Sequence, residues 1–352
     1  MGRPAPTAPR VSMLKLGSLV LDTPVLQAPI AGFTDSIFRN IVRDFGGCGL
    51  MFTEMVSAEA WMLGGTLPAR LKGVADEPRP LGVQLWGRDP TQIRDAAHRL
   101  SDLNVSLIDL NFGCPARRIM GKHGAGATLL RDPATVGKMV AAAVAGAGGV
   151  PVTAKIRLGP SLNARTAPEV ARRAADNGAV AITVHGRTAD QNYGVPSRFD
   201  SIAEVTGAVG VPVIANGDIA DGAAAVRALG ASAAAGVMVA RAALTRPWVF
   251  REITAALRGE PIPPPPTLGE QKAQLLQHHA AIVERAGDPL GTILMRKFAC
   301  RYLLGVAGSN GFRDAISRAE NAADFRTIVE RYFPEDSTVL LECGASVPVA
   351  AV

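Results

Sequence analysis

The sequence predicts an α/β fold, a parallel barrel followed by a small all-α domain, on three observations. Short apolar runs of strand length recur eight times with helix-like segments between them, the pattern of β-α units that feed a parallel sheet. Each run ends in a turn that carries polar residues or glycine, and after the eighth run a proline-rich stretch gives way to helical patterning alone. At 352 residues the chain exceeds one ordinary hydrophobic core, whereas a barrel takes about 250 residues and leaves room for an appended domain.

In order along the chain, strands are expected at residues 25–30, 49–55, 81–86, 107–112, 152–158, 181–186, 211–216 and 235–240. Eight even units are what a closed (β/α)8 TIM barrel needs, and doubly wound sheets seldom use so many. Alanine-rich segments with polar residues at helical spacing predict outer helices over 91–103, 134–147, 167–177 and 220–229, with Asn177-Gly178 and Leu229-Gly230 reading as helix stops. Pro261-Ile-Pro-Pro-Pro-Pro-Thr267 predicts a stiff linker, because consecutive prolines neither continue a helix nor donate to a sheet. Beyond it helices are expected at 271–286, 290–304, 311–318 and 321–332, a small bundle, while residues 334–352 carry no assignment.

Apolar residues make up 48% of the chain and charged ones 19%, which supplies a large core and excludes disorder by composition. The opening Met1-Gly-Arg-Pro-Ala-Pro-Thr-Ala-Pro-Arg10 lacks the apolar centre of a signal peptide, and no uninterrupted apolar stretch reaches a membrane-spanning length. A cytoplasmic protein with no membrane partner is expected. Cys48, Cys114, Cys300 and Cys343 lie far apart with no C-x-x-C pair, which argues against a zinc site and a disulfide framework. The formal charge of +6 admits an anionic partner.

Polar or glycine groups stand at every strand end: Gln27 to Asp35, Glu54, Gln84, Asn111 to Cys114, Lys155 and Arg157, His185 to Arg187, Asn216 to Asp218, and Arg241. In a barrel these positions surround one mouth, where groups that would be costly if buried singly form a shared ligand site. The turns Asn216-Gly217-Asp218 and Ala240-Arg241 fall where such barrels hold a phosphate, so a phosphate-bearing cofactor is indicated. Lys155 would set a fixed positive charge over the mouth, suited to an anionic reduced flavin, and the tight turn at Gly186 would aim His185 and Arg187 at the site. Cys114 reads as a nucleophile, an acid or a small buried residue. A nucleophile needs a paired base or a strong positive field, whereas a proton donor works with a thiol near its ordinary pKa of about 8.5, so the acid is the simpler role. The Lys122-His-Gly-Ala-Gly126 loop is read as mobile and able to close over a substrate. His278 and His279 lack a matching carboxylate or cysteine spacing and read as helical surface or packing.

Taken together, Ala28-Pro-Ile-Ala-Gly-Phe-Thr-Asp-Ser-Ile-Phe-Arg39, Asn111-Phe-Gly-Cys-Pro115, Gly124-Ala-Gly126, Lys155-Ile-Arg157, His185-Gly-Arg-Thr188 and Asn216-Gly-Asp218 resemble the tRNA-dihydrouridine synthases, from about residue 15 to 333. Arg246-Pro-Trp-Val-Phe-Arg-Glu252 and the helix carrying Arg296-Lys297 are similar to the bacterial B subgroup. The resemblance implies NADPH-dependent reduction of the uridine C5–C6 double bond in tRNA by an FMN-bound barrel with a helical tRNA-binding domain. It divides the chain into a tail (1–14), the FMN barrel (15–260), the linker (261–267), the tRNA-binding domain (268–335) and a second tail (336–352).

It further implies that Pro29, Ala31, Gln84, Lys155 and His185 contact the flavin. Asn216, Gly217, Asp218, Ala240 and Arg241 would hold its phosphate. Asn111, Arg187, Arg296, Lys297 and Arg301 would meet the RNA, and Cys114 would be the acid. Between Leu294 and Arg318 stand five cations, Arg296, Lys297, Arg301, Arg313 and Arg318, against Asp314 alone. NADPH and tRNA are the expected partners and a monomer the expected state. The chain departs from the family pattern at Ala240, where glycine is common and the added methyl bears on the approach of the phosphate, whose binding is expected to survive; it departs also at Phe33 and Phe112, where smaller or aliphatic residues are frequent, and at Ser197-Arg-Phe199, and these bear on substrate position. Two other classes stand beside this one: a flavin oxidoreductase of small pyrimidines or enones, and an RNA-binding protein without catalysis.

Overall fold

The computed structural model describes residues 13–303 and 309–333. The eight expected runs all become strands of one parallel sheet. These are β3 (Val25–Gln27), β4 (Met51–Phe52) with its short continuation β5 (Val56–Ser57), β6 (Leu81–Trp86), β7 (Leu107–Phe112), β8 (Val152–Arg157), β9 (Ile182–His185), β10 (Val213–Asn216) and β11 (Gly236–Val239). They run in the order β3-β11-β10-β9-β8-β7-β6-β4. The ring closes because Gly49 N–H donates to Val25 O at 2.8 Å and Gln27 N–H donates to Leu50 O at 2.9 Å.

The alternation of each strand sorts its side chains into two layers. On β7, Ile108, Leu110 and Phe112 belong to the cluster packed under the outer helices, while Leu107 joins Leu26, Phe52, Ile214 and Met238 inside the barrel. Gly82 permits that inner packing, since a Cβ there would lie 2.6 Å from the Phe52 ring. Phe112 therefore faces the helices, and its departure from the family pattern does not reach the mouth.

A hairpin the sequence did not announce, β1 (Leu14–Leu16) and β2 (Leu19–Leu21), lies across the amino ends of the strands. Leu14, Leu16 and Leu21 are buried with the inner layer, each worth roughly 1.5–3 kcal/mol of apolar burial. The expected tail over 1–14 thus ends in a structured residue, and its first twelve positions lie outside the described residues.

The helices are α1 (Ser36–Phe45), α2 (Ala58–Gly64), α3 (Pro90–Ser101), α4 (Pro133–Gly146), α5 (Ala167–Asp176), α6 (Phe199–Thr206), α7 (Gly222–Ser232), α8 (Arg241–Thr245) and α9 (Val249–Arg258), followed by α10 (Leu268–Ala286), α11 (Leu290–Tyr302), α12 (Ser309–Ile316) and α13 (Ala322–Tyr332). Asp35, Asp89, Asp132 and Asp221 cap α1, α3, α4 and α7 by accepting from first-turn N–H groups. Gly230, expected as a stop, lies inside α7, and the left-handed cap falls on Ala233 at φ 52°. The proline run 261–266 is irregular chain between α9 and the Thr267–Glu270 capping box that opens α10. Residues 336–352, the expected second tail, lie outside the described residues.

The helical region packs back on the barrel through α10 against α1 and α11 against α8. Its two histidines are packing residues. His278 Nδ1 is 3.0 Å from the Tyr302 hydroxyl and His279 Nε2 is 2.9 Å from Thr292 Oγ1, with His279 stacked on Phe325.

Candidate active site at the barrel mouth

Cys114 stands at the end of β7, in the turn that leaves the barrel. Asn111 holds this turn from below: its Oδ1 accepts from Gly113 N–H at 3.1 Å and Cys114 N–H at 2.9 Å. Asn111 Nδ2 donates to Gln84 Oε1 at 2.8 Å, and Gln84 Nε2 donates to Asp109 Oδ2 at 2.6 Å. The second oxygen of Asp109 takes the Thr153 hydroxyl at 2.7 Å. From above, Ala127 N–H donates to Cys114 O at 3.0 Å. A π-turn over Arg118–Lys122 leads into the segment read as mobile, Lys122–Gly126, whose His123 meets Glu59 Oε2 at 3.1 Å and the edge of Trp86.

Burial pushes the Cys114 thiol above its ordinary value, against the pull of Arg157 and Lys155. Among the described residues no basic side chain hydrogen-bonds its sulfur, so at neutral pH it is a thiol with a proton to give. Burial likewise raises the Asp109 carboxyl.

The opposite flank is cationic. Lys155 Nζ donates to Asn216 Oδ1 at 2.9 Å, and Asn216 Nδ2 is spent on Met238 O at 2.8 Å. Burial, then the charge of Arg157, lowers the Lys155 ammonium to about 8. Arg157 donates to Gly113 O at 2.9 Å and Thr188 O at 2.8 Å, tying the Cys114 turn to the β9 turn. His185 is held well below 6.5 by burial and by Lys155, Arg157, Arg187 and Arg241. It accepts at Nε2 from Arg187 Nη1 at 3.0 Å, so its proton sits on Nδ1.

Asp218 gathers the two phosphate-site turns. It accepts from Arg187, from Arg241 at 2.9 Å and from Ser197 N–H at 2.8 Å. Gly217 sits at φ 115°, and a Cβ there would lie 2.4 Å from Ser197 Oγ, itself a buried hydroxyl without a protein partner. Ala240, at φ −118°, needs no glycine, and the helix it opens has no side-chain cap.

Most of the residues expected at the mouth are brought together there. Gln84, Asn111, Cys114, Lys155, His185, Asn216, Gly217, Asp218, Ala240 and Arg241 form one rim. Gln27 is spent within the barrel wall, where its Oε1 accepts from Phe52 N–H at 3.1 Å. Arg187 lies behind His185, 1% exposed, with its donors on Val195 O, Tyr193 O, His185 and Asp218. Pro29 and Ala31 lie on the loop after β3, whose Gly32 N–H donates to Glu54 Oε2 at 2.7 Å.

That loop also meets the helical region. Lys297 Nζ lies 5.4 Å and the Arg301 guanidinium 4.9 Å from the centre of the Phe33 ring, which also meets Phe298 edge-on. Phe33 is thus part of the junction between barrel and helices. Arg296 is turned to Ala319 O at 2.8 Å.

Sequence reading missed Asp109, Thr153 and Tyr193. Tyr193 lies 4.5 Å under Arg241 and nearly parallel to His185 at 6.2 Å. Asp109 carried a usable signal, a carboxylate two residues before Asn111 on the inward face of an apolar strand; Tyr193 carried none, since it comes from an irregular turn. Among the described residues, no group of three or more His, Cys, Asp or Glu is placed to hold a metal ion, and no helix is long and apolar enough to cross a membrane.

The model of the dihydrouridine synthase family matches residues 26–336. A probable tRNA-dihydrouridine synthase of Rhodobacter capsulatus is 40% identical over 324 residues, 92% of this chain and 98% of that one. The tRNA-dihydrouridine synthase B of Xanthomonas axonopodis pv. citri is 36% identical over 320 residues, 91% of this chain and 96% of that one. Among solved structures, a variant of NCR from Zymomonas mobilis shares the fold with a TM-score of 0.53 at 14% identity, covering 73% of this chain and 93% of that one.

Proposed function

The chain belongs to the dihydrouridine synthase family, and from that premise we propose that it reduces the C5–C6 double bond of specific uridines in tRNA to dihydrouridine, with FMN bound in the barrel mouth and NADPH as reductant. The observation that carries this reading is a half-buried Cys114 thiol, kept protonated by desolvation, at the end of β7 in a turn that Arg157 ties to the cationic flank. Residues 15–260 are the catalytic barrel, 268–335 the tRNA-binding domain and 261–267 the linker between them.

The rim suits a flavin phosphate and ring by the chemistry of its donors. The Gly217 turn admits only a residue without Cβ, Ser197 Oγ lacks a partner beside it, and Arg241 brings a cation to the same turn. Asn216, Gly217, Asp218, Ala240 and Arg241 would hold the phosphate. Pro29, Ala31, Gln84, Lys155 and His185 would line the ring, with the Lys155 ammonium balancing negative charge and His185 donating from Nδ1. When bound, FMN supplies the hydride.

Uracil C6 is electron-poor through conjugation to the C4 carbonyl, so a hydride adds there and C5 then needs a proton. Cys114 gives that proton from Sγ as an acid rather than attacking as a nucleophile. Asn111 spends one amide N–H on Gln84 and turns the other to the Met55 sulfur at 3.6 Å, a weak acceptor that the uracil would replace. The target base sits in folded RNA and must leave its stack, at a cost of a few kcal/mol that contacts to the RNA backbone would offset. Lys297 and Arg301 stand at the barrel edge for such contacts, with Arg296 beside them on α11 and Arg187 acting on the site through His185.

The test is the dihydrouridine content of an unmodified tRNA transcript, or of native tRNA lacking dihydrouridine, after incubation with the purified protein and NADPH, alongside the protein's visible spectrum. Yellow protein and dihydrouridine are expected. Yellow protein that oxidises NADPH and leaves both RNAs untouched would transfer the assignment to a small-molecule oxidoreductase.

A further inference from the structure

We propose that Asp109 is a positioning residue for the Cys114 turn: it fixes which end of the Gln84 amide faces Asn111, and so locks Asn111 in the direction the turn requires. A carboxylate only accepts, whereas an amide has one accepting and one donating end. With Asp109 Oδ2 facing Gln84, only the Nε2 end can point at it, as found at 2.6 Å. That leaves Gln84 Oε1 to accept Asn111 Nδ2 at 2.8 Å, and leaves Asn111 Oδ1 to take the Gly113 and Cys114 N–H groups at 3.1 and 2.9 Å.

Reversing either amide sets N–H against N–H at the next contact. The line is pinned at both ends: the turn's backbone N–H groups can only donate and so require Asn111 Oδ1, and the Asp109 carboxylate can only accept and so requires Gln84 Nε2. Without Asp109 nothing holds the Gln84 amide in the direction that supports Asn111. Asp109 is 1% exposed, and its second oxygen is filled by the Thr153 hydroxyl at 2.7 Å. Register places Asp109 opposite Gln84 on one side and Thr153 on the other, so three strands of the barrel converge on this carboxylate. Cys114 itself makes no side-chain contact with it.

The inference rests on reading Cys114 as the reactive group of the mouth, and its test does not depend on RNA. The measurement is the rate at which iodoacetamide alkylates Cys114 in the full chain, read from the peptide that carries it, so that Cys48, Cys300 and Cys343 do not contribute. Asp109→Leu removes the acceptor that orders the amides and is expected to raise the rate about tenfold, the weight of one or two neutral hydrogen bonds. Gln84→Glu, which sets two carboxylates face to face, should do the same once the proton that such a pair shares is lost, so all four proteins are labelled over a pH range that reaches that loss.

The double variant Gln84→Glu/Asp109→Asn restores every contact with the charge moved by one residue. The amide N–H placed at position 109 would donate to the carboxylate placed at position 84, whose other oxygen would accept from Asn111. The amide oxygen at position 109 would accept from Thr153. The alkylation rate of this double variant is expected within about twofold of wild type. A double variant that labels as fast as Gln84→Glu alone overturns the proposal, as do equal rates across all four proteins, and the comparison of Gln84→Glu with the double variant decides even if Asp109→Leu does not fold. A protein that shows this pattern but leaves tRNA unmodified would sink the proposed function and leave Asp109 in its role.

Discussion

The two flanks of the barrel mouth solve opposite problems. On the β6–β7 side a line of neutral amides, ordered by one carboxylate, fixes direction and carries little charge: Asp109, Gln84, Asn111 and then the Cys114 turn. On the β8–β11 side Lys155, Arg157, Arg187 and Arg241 concentrate positive charge around a neutral His185, tempered by Asp218. A proton donor needs a fixed orientation, which amides give because their two ends differ. An anionic cofactor needs a standing field, which cations give in a poorly solvated site. The same barrel ring serves both because each strand ends in its own turn.

That division can be broken from the amide side first. Cys114→Ala is expected to lower dihydrouridine formation by about 10²- to 10⁴-fold, the usual weight of general acid catalysis, while the protein stays yellow; loss of flavin together with turnover would mean that the flanks are not separable. Gly217→Ala attacks the other flank. At φ 115°, with its new Cβ 2.4 Å from Ser197 Oγ, it should strain the turn by roughly 1–3 kcal/mol and weaken FMN binding by about 5- to 150-fold, measured by flavin fluorescence released on dilution.

The pH dependence sharpens the contrast. The Lys155 ammonium, lowered to about 8 by burial, loses its proton as pH rises through that value. Flavin reduction by NADPH should therefore fall roughly tenfold between pH 7 and 9, following the charged fraction, and Lys155→Met should be slow and flat over that range. A wild-type profile flat to pH 9 would remove Lys155 from the charge-balancing role. The smallest effect is expected outside the barrel. Lys297→Glu should weaken tRNA binding several-fold and make the dependence of log Kd on log salt shallower by about one unit, with the flavin spectrum unchanged.

The barrel was legible because its strands are buried on both faces and read as unbroken apolar runs, so all eight lie where periodicity put them. Four outer helices, α3, α4, α5 and α7, were legible from alanine-rich segments with polar residues at helical spacing, although α7 runs past its expected stop, whereas α1, α2, α6, α8 and α9 were not read. The hairpin at Leu14–Leu21 was not, because two three-residue strands give too short a pattern to separate from coil. In the site, residues that end strands could be named, but their commitments could not. Arg187 looks like a ligand in the sequence and is spent on His185 and Asp218. Phe33 and Phe112 look alike as departures, and only the fold separates the one at the domain junction from the one under the helices.

The hairpin carries a consequence for traffic. Gly17 packs on Val180 and Pro151, and Leu14 reaches Gly236, so the amino end of the barrel is stoppered where the strands begin. Among the described residues, the site residues all stand at the opposite, carboxyl end. On the proposed function a nicotinamide and a folded RNA would both come to the mouth at the carboxyl ends of the strands and would call in turn, each leaving before the other enters. Their order of arrival would show in steady-state kinetics as a family of parallel double-reciprocal lines, a queue imposed by three leucines at the far end of the barrel.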